Sequence, residues 1–382
     1  MEKLHFPMVH FPFFLLQILS LLLLSSAQTI PTKYFTNCGS TSDVTVNGRN
    51  FVGDLNGAGF SIIGPSSSVS AVNSSTDTSL YQTARVFTQP SSSYELDAID
   101  HGIYYVRLHF FPFKSGNTNL ANALFDVSTT DFSLLSNYGV KENSPAVIEE
   151  FLLTINESKF SIYFTPQTNS FAFVNAIEVF LIPDKNYILD SFPLINSRGL
   201  AEIADGVRSQ ALRTIHRVNV GGPQTNDILW RTWTPDDGYI LNPGNDKTCN
   251  PYNGVLKYDV LGATVYSASD IVYNTCKELK SEFSVITWSF NVGKSARHLL
   301  RLHFCDIVST KDAYVKFDAS IYSYFTQIIY VEQLVTPYYW DFLVDSDALG
   351  LITVTLGPRK DSTNKNAYLN GLEIFEYSKK LV

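Results

Sequence analysis

The sequence predicts an all-β protein: two tandem antiparallel β-sandwich domains behind a signal peptide. Three observations carry that reading. Short runs rich in β-branched and aromatic residues alternate apolar and polar side chains, as in Val106-Arg-Leu-His-Phe110, where Val106, Leu108 and Phe110 point one way and Arg107 and His109 the other. Clusters such as Pro65-Ser-Ser-Ser68, Pro90-Ser-Ser-Ser93, Lys114-Ser-Gly-Asn117 and Asn242-Pro-Gly-Asn245 punctuate the runs and read as turns. The runs also occur twice in the same order. RLHF stands at 107–110 and again at 301–304; FDV (125–127) faces FDA (317–319), FSIYFTP (160–166) faces ITVTLGP (352–358), FVNAIEVF (173–180) faces YLNGLEIF (368–375), and YQTA (81–84) faces YNTC (273–276). The offset stays between 192 and 195 residues across all five blocks, so one module is used twice. Two copies are too few for a solenoid.

The division that follows is a signal peptide over 1–27, a first domain over 28–182, a junction over 183–212 and a second domain over 213–382. Glu2, Lys3 and His5 precede the apolar run FPFFLLQILSLLLL (11–24), and Ser25-Ser26-Ala27 offers the small residues of a cleavage site before Gln28. No later stretch is apolar for the roughly 20 residues a membrane helix needs. The junction reads as extended after Pro183 with a short helix near its end, because Leu200, Ile203, Ala204, Val207, Ala211, Leu212 and Ile215 follow helical spacing; Gly206 weakens that helix by about 1 kcal/mol relative to alanine.

Composition narrows the function. Of the 382 residues, 45% are hydrophobic and 17% charged, with a net charge of −8. The charged share is below the roughly 25% of an average soluble chain, and Ser, Thr and Asn fill the gap, as in an extracellular β-rich protein. The acidic balance speaks against nucleic acid as a partner, since phosphate binding needs a basic surface; it suits a basic peptide, drawn by a field that salt would screen. The sequons Asn73-Ser-Ser and Asn156-Glu-Ser are acceptors for N-glycosylation in that compartment. Cys38, Cys249, Cys276 and Cys305 lack zinc-site spacing, and four cysteines allow three pairings. With three of them in the second half, at least one disulfide is expected there, and Cys38 is free or paired at long range.

No catalytic constellation emerges. Arg107/His109 and Arg301/His303 recur inside repeated strands, so they read as sheet-face residues satisfied by neighbouring strands, and Asp126/Asp318, Asn175/Asn370 and Glu178/Glu373 read alike. Gly293-Lys294-Ser295 lacks the upstream glycine of a phosphate loop, and GDLNGAGFSIIG (53–64) does not match a dinucleotide-binding pattern. There is no nucleophile elbow, no H-E-x-x-H and no H-R-D or D-F-G set; no metal or cofactor is expected. One stretch stands out for binding. In RTWTPDDGY (231–239), Trp233 and Tyr239 flank Asp236 and Asp237, a set able to grip a sugar or a basic side chain; the competing reading is a structured turn with Trp233 tucked inward.

NCGS (37–40) with GRNFVGD (48–54), YQTARVF (81–87), YYVRLHFFPF (104–113), VNVGGP (218–223), RTWTPDD (231–237), LLRLHFCDIVS (299–309) and LNGLEIF (369–375) together resemble the extracellular region of plant FERONIA/THESEUS-type receptor-like kinases, over roughly residues 30–378. The resemblance implies two malectin-like β-sandwich domains side by side, followed in that family by a membrane helix and a cytoplasmic Ser/Thr kinase; the residues given stop at Val382, after the second module, which is expected of either a truncated receptor kinase or a secreted relative. It implies roles in cell-wall sensing, growth and reproduction, with secreted basic peptides, small membrane-anchored co-receptors and wall polysaccharides as partners, and a place outside the cell, secreted or on the plasma membrane. The sugar-site residues of animal malectin have no matching motif here. The leading expectation is a ligand-binding ectodomain; the alternatives are a stand-alone secreted wall-carbohydrate-binding protein and a secreted glycan-active enzyme, which needs two carboxylates roughly 5–10 Å apart across a cleft.

Overall fold

A computed structural model describes residues 34–381 except 58, 72–78, 98–99, 197, 259–261, 311–314 and 332. The proposed signal peptide and Asn73 lie outside the described residues. The fold is built almost wholly of strands; the one α-helical element among the described residues is the single turn Asp270–Tyr273.

One long sheet runs through the molecule. Its strands lie in the order Gly199–Ala204, Phe192–Asn196, Tyr338–Asp345, Arg297–Phe304, Gly371–Tyr377, Leu212–Asn219, Val147–Ile155, Gly102–Phe110, Ala176–Leu181, Phe35–Asn37, Arg49–Gly53, Val44–Val46. The first six belong to the second half of the sequence and the rest to the first half. The two halves meet where Phe151 pairs with Arg213 and Leu152 with Leu212.

The repeated blocks fall on equivalent strands. Arg107 faces Glu178 across the pair Gly102–Phe110 and Ala176–Leu181, and Arg301 faces Glu373 across Arg297–Phe304 and Gly371–Tyr377. Period-2 alternation decides what each face does. On one face, Val106, Leu108 and Phe110 close on Leu96, Phe125, Val127, Ile162 and Phe164, which come from a six-stranded sheet. In the second half Leu300, Leu302 and Phe304 close on Trp288, Phe290, Phe317, Ile352 and Val354 of a four-stranded sheet. The opposite face carries Arg107, His109, Arg301 and His303, all buried.

The structure extends the repeat beyond the blocks visible from RLHF outward. Asn37-Cys38-Gly39 matches Asn219-Val220-Gly221: the amide of Gly39 donates to Asp54 Oδ1 at 2.9 Å and that of Gly221 to Asp236 Oδ1 at 2.9 Å. Both glycines have positive φ, 76° and 70°. A Cβ at either would sit 2.3 Å from the Ala84 carbonyl or 2.1 Å from that of Cys276, so each must be glycine for two reasons. These N-terminal blocks are separated by 182 residues rather than 192 to 195, so extension at constant offset passes them by.

The helix expected near the end of 183–212 is absent. Residues Gly199–Ala204 form a strand paired with Phe192–Asn196, a single 3-10 turn covers Val207–Ser209, and the next strand starts at Leu212. Sheet pairing overrides the helical spacing here: Leu200 and Ile203 point to solvent, and the buried Val207 belongs to the 3-10 turn. The Phe192–Asn196 strand pairs in parallel with Tyr338–Asp345, which ties residues 192–204 to the second half. The C-terminus reaches the other way, with Lys379–Lys380 pairing onto Phe132–Tyr138 of the first half. Cys249 and Cys276 form a disulfide, and Cys38 and Cys305 are free and buried.

The joint between the halves is held by charge as well as by backbone. Glu150 accepts from Arg107 Nε at 2.7 Å and from Arg217 Nη2 at 2.6 Å. Removing one partner from a buried pair leaves the other charge uncompensated, at about 3–5 kcal/mol. Glu150→Ala is therefore expected to lower unfolding free energy by that order, read from urea denaturation as a fall in midpoint.

Candidate functional site

A cleft of about 370 Å³ opens where the halves meet, lined by Asn47, Arg49, Arg107, Ile148, Glu150, Thr214, Arg217, Asn226, Trp230 and Thr232. Its floor comes from the long sheet. Alternation puts Arg107 and Glu150 on the same face as direct cross-strand neighbours. A bulge between Thr214 and His216 turns Thr214 and Arg217 to that face too, three residues apart instead of two; both reach Glu150, Thr214 Oγ1 donating at 2.8 Å.

The ions form an alternating chain through both halves. Arg49 Nη1 donates to Glu178 at 2.7 Å, Arg107 Nη1 to Glu178 at 3.2 Å, and Arg217 Nε to Glu373 at 2.8 Å; Glu150 links the two sides. His109 Nε2 lies 2.7 Å from Glu178 and its Nδ1 2.9 Å from the Tyr81 hydroxyl. The second half repeats the set, with His303 Nε2 3.2 Å from Glu373 and Nδ1 2.9 Å from Tyr273. Each imidazole is thus oriented at both nitrogens, an arrangement that holds a carboxylate in place rather than one that moves protons. Burial alone would raise the Glu178 and Glu150 carboxyls. Arg107 and its partners outweigh it for Glu178, as Arg217 and Arg107 do for Glu150, and both come down to about 2. Burial lowers His303 despite Glu373.

The wall of the cleft depends on one turn. Asp227 Oδ1 accepts from the amides of Leu229 and Arg231, and Asp227 Oδ2 from Arg231 Nε and, at 2.8 Å, Trp233 Nε1. The turn holds Trp230 at φ 56°, a left-handed conformation unusual for a bulky residue. Its ring packs edge-on to Phe35 and Phe180, with the Arg49 guanidinium 5.5 Å from its centroid. Tyr187 braces both halves: its hydroxyl lies 2.8 Å from that of Tyr105 in the first half and accepts from Arg231 Nη1 at 2.6 Å in the second, and its carbonyl accepts from Arg301 Nη2 at 2.6 Å.

The residues singled out in 231–239 are not brought together. Trp233 is 0% exposed, edge-on to His303 in the core. Asp236 is buried as the acceptor of Gly221 N and of Trp288 Nε1 at 2.9 Å, its carboxyl pushed up by burial against those bonds. Asp237 stays at the surface in a 2.9 Å contact with Lys277 Nζ. Tyr239 packs 4.8 Å from Phe290, in a different cluster from Trp233. The inward turn is the outcome for Trp233, because an indole whose N–H finds a buried carboxylate gains more inside than at the surface. The cleft residues Arg49, Glu150, Arg217, Asn226 and Trp230 escaped sequence reasoning. A signal existed: Arg49-Asn-Phe51 and Arg231-Thr-Trp233 are equivalent positions of the repeat, and Trp230 lies one residue outside the block taken as notable. Among the described residues no cluster of His, Cys, Asp or Glu is placed to hold a metal ion, and no helix is long and apolar enough to cross a membrane.

The profile of the malectin-like domain matches residues 36–377. The chain belongs to the malectin-like family. A probable receptor-like protein kinase of Arabidopsis thaliana is 36% identical over 379 residues, covering 93% of this chain and 45% of its own length. Receptor-like protein kinase HERK 1 of the same plant is 33% identical, covering 95% and 45%, and THESEUS 1 is 32% identical, covering 91% and 42%. The chain thus spans less than half the length of these relatives. Among solved structures, the ANXUR1 extracellular domain from Arabidopsis thaliana aligns with a TM-score of 0.78 at 26% identity, covering 90% of this chain and 96% of that one. FER in complex with the plant peptide RALF23 and LLG2 aligns with a TM-score of 0.72 at 26% identity, covering 90% and 94%.

Two measurements follow from this malectin-like arrangement. Trp233→Ala should cost about 3–5 kcal/mol of stability, whereas Tyr239→Ala, at the edge of its cluster, should cost on the order of 1 kcal/mol; thermal melts of the two variants would show the gap. Glu150 and Glu178 carry folded values below their ordinary 4.5, so their stabilisation is complete above that value and is lost as pH falls toward about 2. Urea midpoints should hold steady above pH 5 and drop through that acid window, less so in Glu150→Gln.

Proposed function

We propose that this chain is the extracellular, ligand-sensing portion of a receptor-like kinase system, built of two tandem malectin-like sandwiches over 28–182 and 213–382, joined by 183–212. Its primary ligand is a secreted basic peptide, taken together with a small membrane-anchored co-receptor, in growth or reproductive signalling. The observation that carries this reading is the likeness to FER in its complex with RALF23 and LLG2, spanning 90% of this chain. The net charge of −8 adds to it, since an acidic receptor steers a cationic peptide. The signal segment 1–27 and N-glycans at Asn156 and Asn73 belong to the same extracellular reading, and Asn156 is exposed. Wall carbohydrate is a second ligand class, favoured by the polar cleft and its half-buried Trp230.

The test is surface binding of a cationic peptide, with and without a co-receptor, across salt. The screening length falls from about 10 Å at 0.1 M to about 3 Å at 1 M, so the association rate should fall steeply while dissociation changes little. An association rate indifferent to salt would remove the electrostatic part of the proposal.

A further inference from the structure

We propose that a second cavity, apart from the cleft, seats the first sugar of an N-glycan on Asn156, and that this N-acetylglucosamine staples the segment 208–210 and the C-terminal strand to the first half. The inference rests on reading the chain as extracellular, since the modification belongs to that compartment. Asn156 is exposed in the three-residue turn 156–158, which leads from Val147–Ile155 in the long sheet to Lys159–Pro166 in the six-stranded sheet, and Ser158 completes its sequon. It also lines a cavity of about 290 Å³. The sugar therefore arrives tethered at the lip of the space it fills. In the modification the Asn156 amide nitrogen displaces a lipid-linked diphosphate from C1 of the sugar: the N–C bond forms, the C–O bond to the diphosphate breaks, and the amide gives up one proton.

The cavity exists because strand pairing between the halves stops short. Val147–Ile155 pairs with Leu212–Asn219 only at Phe151 and Leu152, so residues 153–155 present an open strand edge. Across the gap stand Arg208 and Ser209 of the 3-10 turn Val207–Ser209, with Gln210. The turn from Thr129 to Phe132 closes another side, where Lys380 of the C-terminal strand pairs with Phe132. An open edge suits the acetamido group of the sugar, which carries one N–H and one C=O as a peptide unit does.

The chemistry of the walls fits a neutral occupant. Lys159 is spent on Glu95 at 2.8 Å and Asp97 at 3.3 Å. Arg208 donates through Nε to the Ile188 carbonyl at 2.8 Å and through Nη2 to that of Lys185 at 2.7 Å. The remaining charges, Asp131, Glu157 and Lys380, are exposed and of both signs. Neutral groups are left over: the Thr130 and Thr154 hydroxyls make no hydrogen bond among the described residues, and Gln210 Nε2 reaches the Gly206 carbonyl and Ser209 Oγ only at 3.4 Å. Hydroxyls and amides both donate and accept, as sugar hydroxyls require. Phe132, packed against the first core, and the buried Phe160 add an apolar wall for a ring face. The volume lies just below the roughly 300–1,000 Å³ of pockets for larger ligands and suits a single ring.

The experiment exports the whole chain from eukaryotic cells that make high-mannose glycans and follows amide exchange by mass spectrometry. The readouts are the amides of Gln210 and Leu381, which donate to the carbonyls of Val207 at 3.1 Å and Asp131 at 2.7 Å. Four forms are compared: the intact glycoprotein, the same protein trimmed by an endoglycosidase to one N-acetylglucosamine, Asn156→Gln, and Ser158→Ala. The first two should exchange alike, and the two variants about fivefold faster at both amides, the scale of one hydrogen bond. Ser158→Ala keeps the Asn156 side chain, so agreement between the variants ties the change to the sugar. Gln210→Ala, which keeps the sequon, should speed exchange at Leu381 about twofold in the glycosylated chain. Asn156 unmodified in the exported protein, exchange unchanged in the variants, or protection lost on trimming to one sugar would each overturn the seat alone. A chain that is not exported would overturn the seat and the extracellular reading together.

Discussion

The alternating chain Arg49–Glu178–Arg107–Glu150–Arg217–Glu373 is the constraint on which the rest of the structure depends. Each charge lies in the interior, where desolvation costs several kcal/mol per ion unless partners satisfy it. The strands must therefore keep a register that sets Arg107 between Glu150 and Glu178. A slip of one residue would send the arginine to the apolar face and the valine or leucine beside it to the ions. Register, the sides of the sheet and the junction of the halves are thus fixed together.

The halves have kept this frame while changing its fittings. In the first half, Asp54 holds the Gly39 turn and accepts from Arg85 and from the Tyr94 hydroxyl. In the second, Asp236 holds the Gly221 turn and accepts from Trp288, with Lys277 nearby at 3.8 Å. Likewise Phe51 lies edge-on to His109 where Trp233 lies edge-on to His303. A buried carboxylate tying a loop to the sheet is common to both copies; the donor that satisfies it is free to vary as long as one is present.

The cleft exists because the sheet does not stop between the halves. Had the modules met through side chains alone, their ion faces would be separate surfaces. Pairing of Phe151 and Leu152 with Arg213 and Leu212 instead brings Arg107 and Arg217 to one carboxylate and raises the Arg49 hairpin and the Trp230 turn as facing walls. A ligand there would touch both halves at once, so its binding and the stability of the joint are coupled through Glu150.

The sequence by itself determined the all-β character, the repeated strands, the face on which Arg107 and His109 lie and their counterparts in the second copy. These follow from alternation and from self-similarity, which are local or one-dimensional properties. Only the tertiary structure decided that residues 199–204 form a strand, since helical spacing and strand exposure compete there and the neighbouring strand settles it. Only the tertiary structure moved the candidate site from Trp233 and Tyr239 to a cleft spanning Arg49, Glu150, Arg217 and Trp230. Those residues lie up to 181 positions apart, and no local pattern records which distant carboxylate a buried arginine will meet.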